Sequence, residues 1–97
     1  MRSKRFSIAY LRIDGRDVRL KYADLLVAQP DGNEAIDWEC VLMPFDPTPM
    51  EQGAYDLEVD TIDARVLRGD AVLVRSVQGT HVLRGAGPLT GLEPADL

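Results

Sequence analysis

The chain has 97 residues, 45% of them hydrophobic and 28% charged, with 16 Asp and Glu against 11 Lys and Arg for a formal net charge of −5. That length bounds one domain, residues 1–97, which buries roughly 65% of its unfolded surface, and the apolar fraction excludes a disordered chain. A single cysteine, Cys40, excludes an internal disulfide, and no apolar run approaches the roughly 20 residues of a membrane helix, so the expectation is a soluble, cytoplasmic protein.

Met1-Arg2-Ser3-Lys4-Arg5 leads into alternation instead of the apolar core of a signal peptide. No window of a dozen residues keeps apolar side chains at i, i+3, i+4 and i+7, whereas period-two alternation recurs along the chain, which predicts an all-β protein. The first predicted strand, 5–13, ends at Asp14-Gly15, a dipeptide that supplies the positive φ angles of a tight hairpin turn. The second starts near Arg16, puts Val18, Leu20 and Tyr22 on one face, and runs on through Leu25, Leu26 and Val27. Pro30-Asp31-Gly32-Asn33 reads as a turn.

The third predicted strand, 34–43, places Ile36, Trp38, Cys40 and Leu42 on one face, with Trp38 as a core anchor, and Asp37 and Glu39 on the other. Pro44, Pro47 and Pro49 cannot donate ladder hydrogen bonds, so a connection of about ten residues runs to Gly53. The fourth strand, 54–61, turns Tyr55, Leu57 and Val59 inward and Asp56, Glu58 and Asp60 outward. The fifth, 65–77, carries Gly69 in its middle, a position suited to a bulge or bend. Gln78-Gly79 makes the next turn and 80–85 the sixth strand, leaving short flexible ends near 1–4 and 89–97. Six strands joined mostly by short turns predict an antiparallel meander that forms a small closed or half-open β-barrel, which hides its sheet edges.

Charge is segregated along this pattern. Residues 22–64 contain no Lys or Arg and eleven carboxylates, whereas the first 21 residues hold seven basic side chains and two acidic ones. On consecutive strands, Asp37, Glu39, Asp56, Glu58 and Asp60 would make one acidic sheet face, the candidate partner-binding surface. Cross-strand pairing with Arg19, Lys21, Arg65 or Arg68 absorbs part of it.

No set of side chains converges on a reaction, a metal or a cofactor, so no catalytic, metal-binding or cofactor-binding residue is expected. His81 is the sole histidine, which rules out a His-rich zinc site, and it lies on a different strand from Cys40. Asp31-Gly32-Asn33-Glu34 resembles part of a calcium loop only superficially, because Leu42 stands where the twelfth-position glutamate belongs. Alternation spreads the carboxylates instead of pairing them as a glycosidase requires. The tripeptide Arg68-Gly69-Asp70 is read as chance, and Gly85 to Gly91 lacks the lysine of a phosphate loop. Nucleic acid is disfavoured by the acidic surplus and because Phe6, Tyr10, Tyr22, Trp38, Phe45 and Tyr55 mostly fall at positions expected to be buried.

These readings favour a non-catalytic module that binds a protein, or a second copy of itself, through the acidic face or an exposed sheet edge. A small-ligand pocket or small enzyme site inside the barrel is the alternative, lined by Tyr22, Trp38, Tyr55 and Leu57 with Asp24 or Asp63 at its mouth. A third reading is an acidic mimic of DNA that occupies a basic protein.

Overall fold

The computed structural model describes residues 1–32 and 34–97; Asn33, the last position of the expected 30–33 turn, lies outside the described residues. Among the described residues seven strands form, β1 (Arg2–Ile13), β2 (Arg16–Val18), β3 (Leu20–Gln29), β4 (Asp37–Pro44), β5 (Ala54–Thr61), β6 (Val66–Val77) and β7 (Thr80–Gly85), followed by a 3₁₀ turn at Pro94–Asp96. Their hydrogen-bonded order is β2-β1-β3-β4-β7-β6-β5, and a further antiparallel pairing of β1 with β5 closes the sheet. The result is a six-stranded antiparallel barrel with β2 as an extra short strand beside β1. Asp14 and Gly15 (φ 52° and 79°) and Gln78 and Gly79 (φ 52° and 80°) make the two tight hairpin turns that their dipeptides predict.

The strands follow one another around the wall except at the proline segment. β4 pairs with β3 and β7, while β5 pairs with β1 and β6, so the 45–53 connection carries the chain to the opposite wall and the order is not a simple meander. Its ends are tied down: the Phe45 N–H donates to the Arg19 carbonyl at 3.0 Å, and the Leu73 N–H donates to the Gly53 carbonyl at 3.0 Å.

Alternation fills the lumen with Phe6, Leu11, Leu25, Leu57, Leu67 and Leu83, all buried, which drives closure by removing apolar area from water. Trp38 fills one end of the barrel; its Nε1–H donates to the Gly87 carbonyl at 2.9 Å. The ring fits because two wall positions lack side chains: a Cβ at Gly69 would stand 2.7 Å from the Trp38 Cζ2, and one at Gly85 2.3 Å from Nε1. Gly69 therefore admits an indole; the register shift of β6 lies later, between Leu73 and Arg75. Further shifts fall between Ile8 and Tyr10 and between Leu20 and Tyr22. Because one extra residue reverses every later side chain, Tyr10 and Tyr22 point outward, 71% and 48% exposed, against the expectation that most aromatics are buried.

The C-terminal segment, expected as a loose tail, is fastened across the Trp38 end. Thr90 bridges Arg68, and Asp96 receives two hydrogen bonds from Arg65, both 2.6 Å, and one from Lys4 at 3.1 Å. The N-terminal residues 2–4 belong to β1, paired with Gln29, Ala28 and Val27.

Candidate functional site

Closure divides the predicted acidic face. Asp37 and Glu39 stand on β4 and Asp56, Glu58 and Asp60 on β5, three strands away in either direction around the barrel. The proline segment carries the chain across the barrel, so β4 and β5, consecutive in the sequence, are not neighbours in the wall. On β5 the carboxylates lie between two basic strands: Arg12 on β1 donates to Glu58 at 3.0 Å and Arg68 on β6 donates to Asp56 at 3.3 Å. The Arg12 guanidinium is held charged chiefly by its hydrogen bond to Glu58, and that of Arg68 by Asp56. Asp56 and Glu58 are thus paired within the wall, with Arg68, one of the expected bases, and Arg12, which was not among them. Arg65 is taken by Asp96, and Arg19 and Lys21 lie over the Phe45 ring at 5.4 and 5.7 Å.

The four residues expected to line a pocket do not converge on an open lumen. Trp38 and Leu57 are packed into the core, Tyr55 is half-buried with its hydroxyl donating to the Glu51 carbonyl, and Tyr22 donates its hydroxyl to Asp24 on the outer surface at 2.6 Å. Of the two mouth acids, Asp24 also accepts from Arg5 at 3.2 Å, and Asp63 accepts from the Thr61 hydroxyl.

Two titratable groups sit in the interior. Burial pushes the Cys40 thiol up to about 12, with Asp24 and Glu39 adding to the effect, so the thiolate is suppressed. His81, 1% exposed, contacts the Ser76 hydroxyl through Nδ1 at 2.7 Å, and its Nε2 has no hydrogen-bond partner among the described residues. Burial lowers its pKa. Among the described residues no group of three or more His, Cys, Asp or Glu side chains is placed to hold a metal ion, and no helix is long and apolar enough to cross a membrane.

The most distinctive surface is the outer face of β4, β7 and β6, where the run 71–77, apolar on both faces in the sequence and so in need of a second cover, supplies one strand. Inward residues of these strands alternate with a second apolar set: Val41 on β4, Val82 on β7, and Val72, Val74 and Val77 on β6. Val41 pairs with Val82, and Val82 with Arg75, so the three side chains form one row across the wall. The adjacent row runs from Glu39 through Arg84 to Val72. Val82 is only 6% exposed although it faces outward, and it lies in the same surface groove as Val41, Val77, Thr80, Glu39 and Arg75. Val74 and Val77 stand open at 53% and 56%. Both Val74 and Arg75 are exposed at the β6 register shift, which brings an extra side chain to this face. The signal in the sequence was the run Ala71 to Val77, apolar at odd and even positions alike, which an ordinary wall strand with one wet face does not need.

Comparison with known proteins gives no relative: no family model, no curated protein and no solved structure matches the chain.

Proposed function

We propose that this chain is a non-catalytic β-barrel module that works by binding another protein chain through the outer face of β4, β7 and β6. The observation that carries this reading is the valine surface around Val82, exposed at Val72, Val74 and Val77 and rimmed by Glu39, Arg75 and Arg84. Apolar side chains grouped on one wall, with charges at the margin, form the core-and-rim pattern of a protein interface. Barrel closure uses the ladder groups of the six wall strands and leaves the three-residue β2 as the open edge, so side chains on the wall are the larger recognition element. Two of the three β5 carboxylates, Glu58 and Asp56, are paired with Arg12 and Arg68, which weakens both the acidic-face and the DNA-mimic readings. The packed lumen weakens the ligand alternative in the same way. A lone, buried Cys40 fits a reducing compartment, and we place the protein in the cytoplasm on that ground.

The test is site-specific photocrosslinking in the producing cell, with a photoreactive side chain at Val74 and, as control, at Ser7 on β1, the strand opposite β7 in the barrel. A protein adduct formed from position 74 and not from position 7 is expected. Adducts formed equally from both, or from neither, would remove the proposal.

A further inference from the structure

We infer that the partner seated on this face is a second copy of the chain, packed wall to wall about a two-fold axis; this rests on the binding reading above. The argument is the arrangement of charge on the patch. Its two rows are Glu39, Arg84, Val72 and, beneath them, Val41, Val82, Arg75, read in the order β4, β7, β6. Glu39 and Arg75 therefore occupy opposite corners, and Val41 and Val72 the other two.

A two-fold axis lying in the interface exchanges positions as a reflection does in projection. When that axis runs along the Val41 to Val72 diagonal, each valine meets its own symmetry mate, and each Glu39 meets the Arg75 of the other copy. The patch is thus complementary to itself, which an isologous interface requires and a patch of one sign could not be. Adjacent strands lie roughly 4.8 Å apart and alternate residues on one strand roughly 6.7 Å apart, so β4 to β6 spans about 10 Å. With sides of about 10 and 6.7 Å the diagonals cross at roughly 70°, so the two-fold brings each Glu39 position to within about 4 Å of the Arg75 position of the other copy, a gap these long side chains span, and the two walls cross at a steep angle, as in orthogonal sheet packing.

Both charges are available for the exchange. Among the described residues neither Glu39 nor Arg75 forms an ion pair or a side-chain hydrogen bond within the chain, although five of the seven ion pairs involve an Arg. Arg84, opposite Glu39 in the register, also stands without an ion pair among the described residues. Three strands of short valines make a small interface, so the dimer is of the transient class, with a Kd on the order of 10 µM.

Sedimentation velocity of the purified full chain from about 1 to 300 µM tests this, with Glu39→Arg, Arg75→Glu and the double reversal. The wild type is expected to move from monomer to dimer across that range, and each single reversal to weaken dimerisation by about tenfold or more. The double reversal restores dimerisation to within about threefold of wild type, because it exchanges the two corners again. Val74→Lys should abolish dimerisation while thermal unfolding of the monomer stays within a few degrees of wild type, which separates loss of the surface from loss of the fold. A chain that stays monomeric at every concentration, or a double reversal no better than the worse single one, overturns the inference. If the purified chain is monomeric while position 74 still crosslinks to a different protein in cells, self-association falls and the binding reading stands.

Discussion

Trp38 and Gly85 are matched in shape: the indole lies so close over the glycine that a Cβ there would stand 2.3 Å from the ring nitrogen. The ring reaches the Gly87 carbonyl only because the β7 wall is flat at that point, so one side chain on β4 fixes what β7 and the segment after it must be. The same indole passes Gly69 on β6, and three elements are thereby held at one end of the barrel.

Gly85→Ala must displace the indole or the β7 wall, and overpacking of this kind costs about 1 to 3 kcal/mol. Gly87→Ala meets nothing within 4 Å and should change stability by less than about 0.5 kcal/mol. Urea unfolding followed by fluorescence of the single tryptophan checks both. Equal stability of the two variants would mean that the ring does not lie over Gly85.

His81 should make the fold acid-sensitive in a defined direction. Burial depresses its pKa in the folded chain, below an unfolded value of about 6.5. A histidine with a depressed folded pKa contributes stability that is whole above the unfolded value and is lost as pH falls through that window. Protonation turns both ring nitrogens into donors; one meets the Ser76 hydroxyl, and Nε2 has no acceptor among the described residues. In His81→Leu the slope of stability between pH 7.5 and 5 should flatten, while stability at pH 8 stays within about 1.5 kcal/mol of wild type. A wild-type urea midpoint independent of pH across that interval would contradict the burial of the imidazole.

The C-terminal segment carries a separate acid dependence. Arg65 and the Glu93 N–H hold the Asp96 carboxyl well below the usual carboxylate range. Since the folded pKa is depressed, this contribution is present above the unfolded value of about 4 and declines as pH falls below it. Asp96→Asn should release residues 89–97 at neutral pH, seen as faster amide exchange at Thr90 and at its bridge partner Arg68. The barrel strands β3 and β4 should be unaffected. Unchanged exchange at Thr90 would show that the apolar contacts of Leu89, Leu92 and Leu97 hold the segment without the ion pair.

Much of the barrel is legible from the residues. Period-two alternation, Asp14-Gly15, Gln78-Gly79 and the proline segment place the strands and turns, and β5 and β7 span 54–61 and 80–85 as expected. Two features were hidden because they depend on pairing and not on local pattern. Register shifts near Tyr10 and Tyr22 reverse the facing of both aromatics, and a local alternation count has no means of locating an extra residue. The crossing at 45–53 separates Asp37 and Glu39 from the β5 carboxylates, since a long loop leaves the next strand free to join either side of the sheet. The valine wall was visible only as surplus hydrophobicity between Ala71 and Val77; closure of the barrel turns that surplus into a surface.

The central claim, that two copies of this chain meet wall to wall on this surface, is tested most directly by valine methyl NMR during dilution of the protein. Methyl shifts of Val41, Val72, Val74, Val77 and Val82 should move together with one midpoint, while those of Val27 and Val59 in the core and Val18 and Val66 elsewhere stay fixed. Methyl shifts that do not change with concentration, or that change around Val66 and not around Val74, would contradict it.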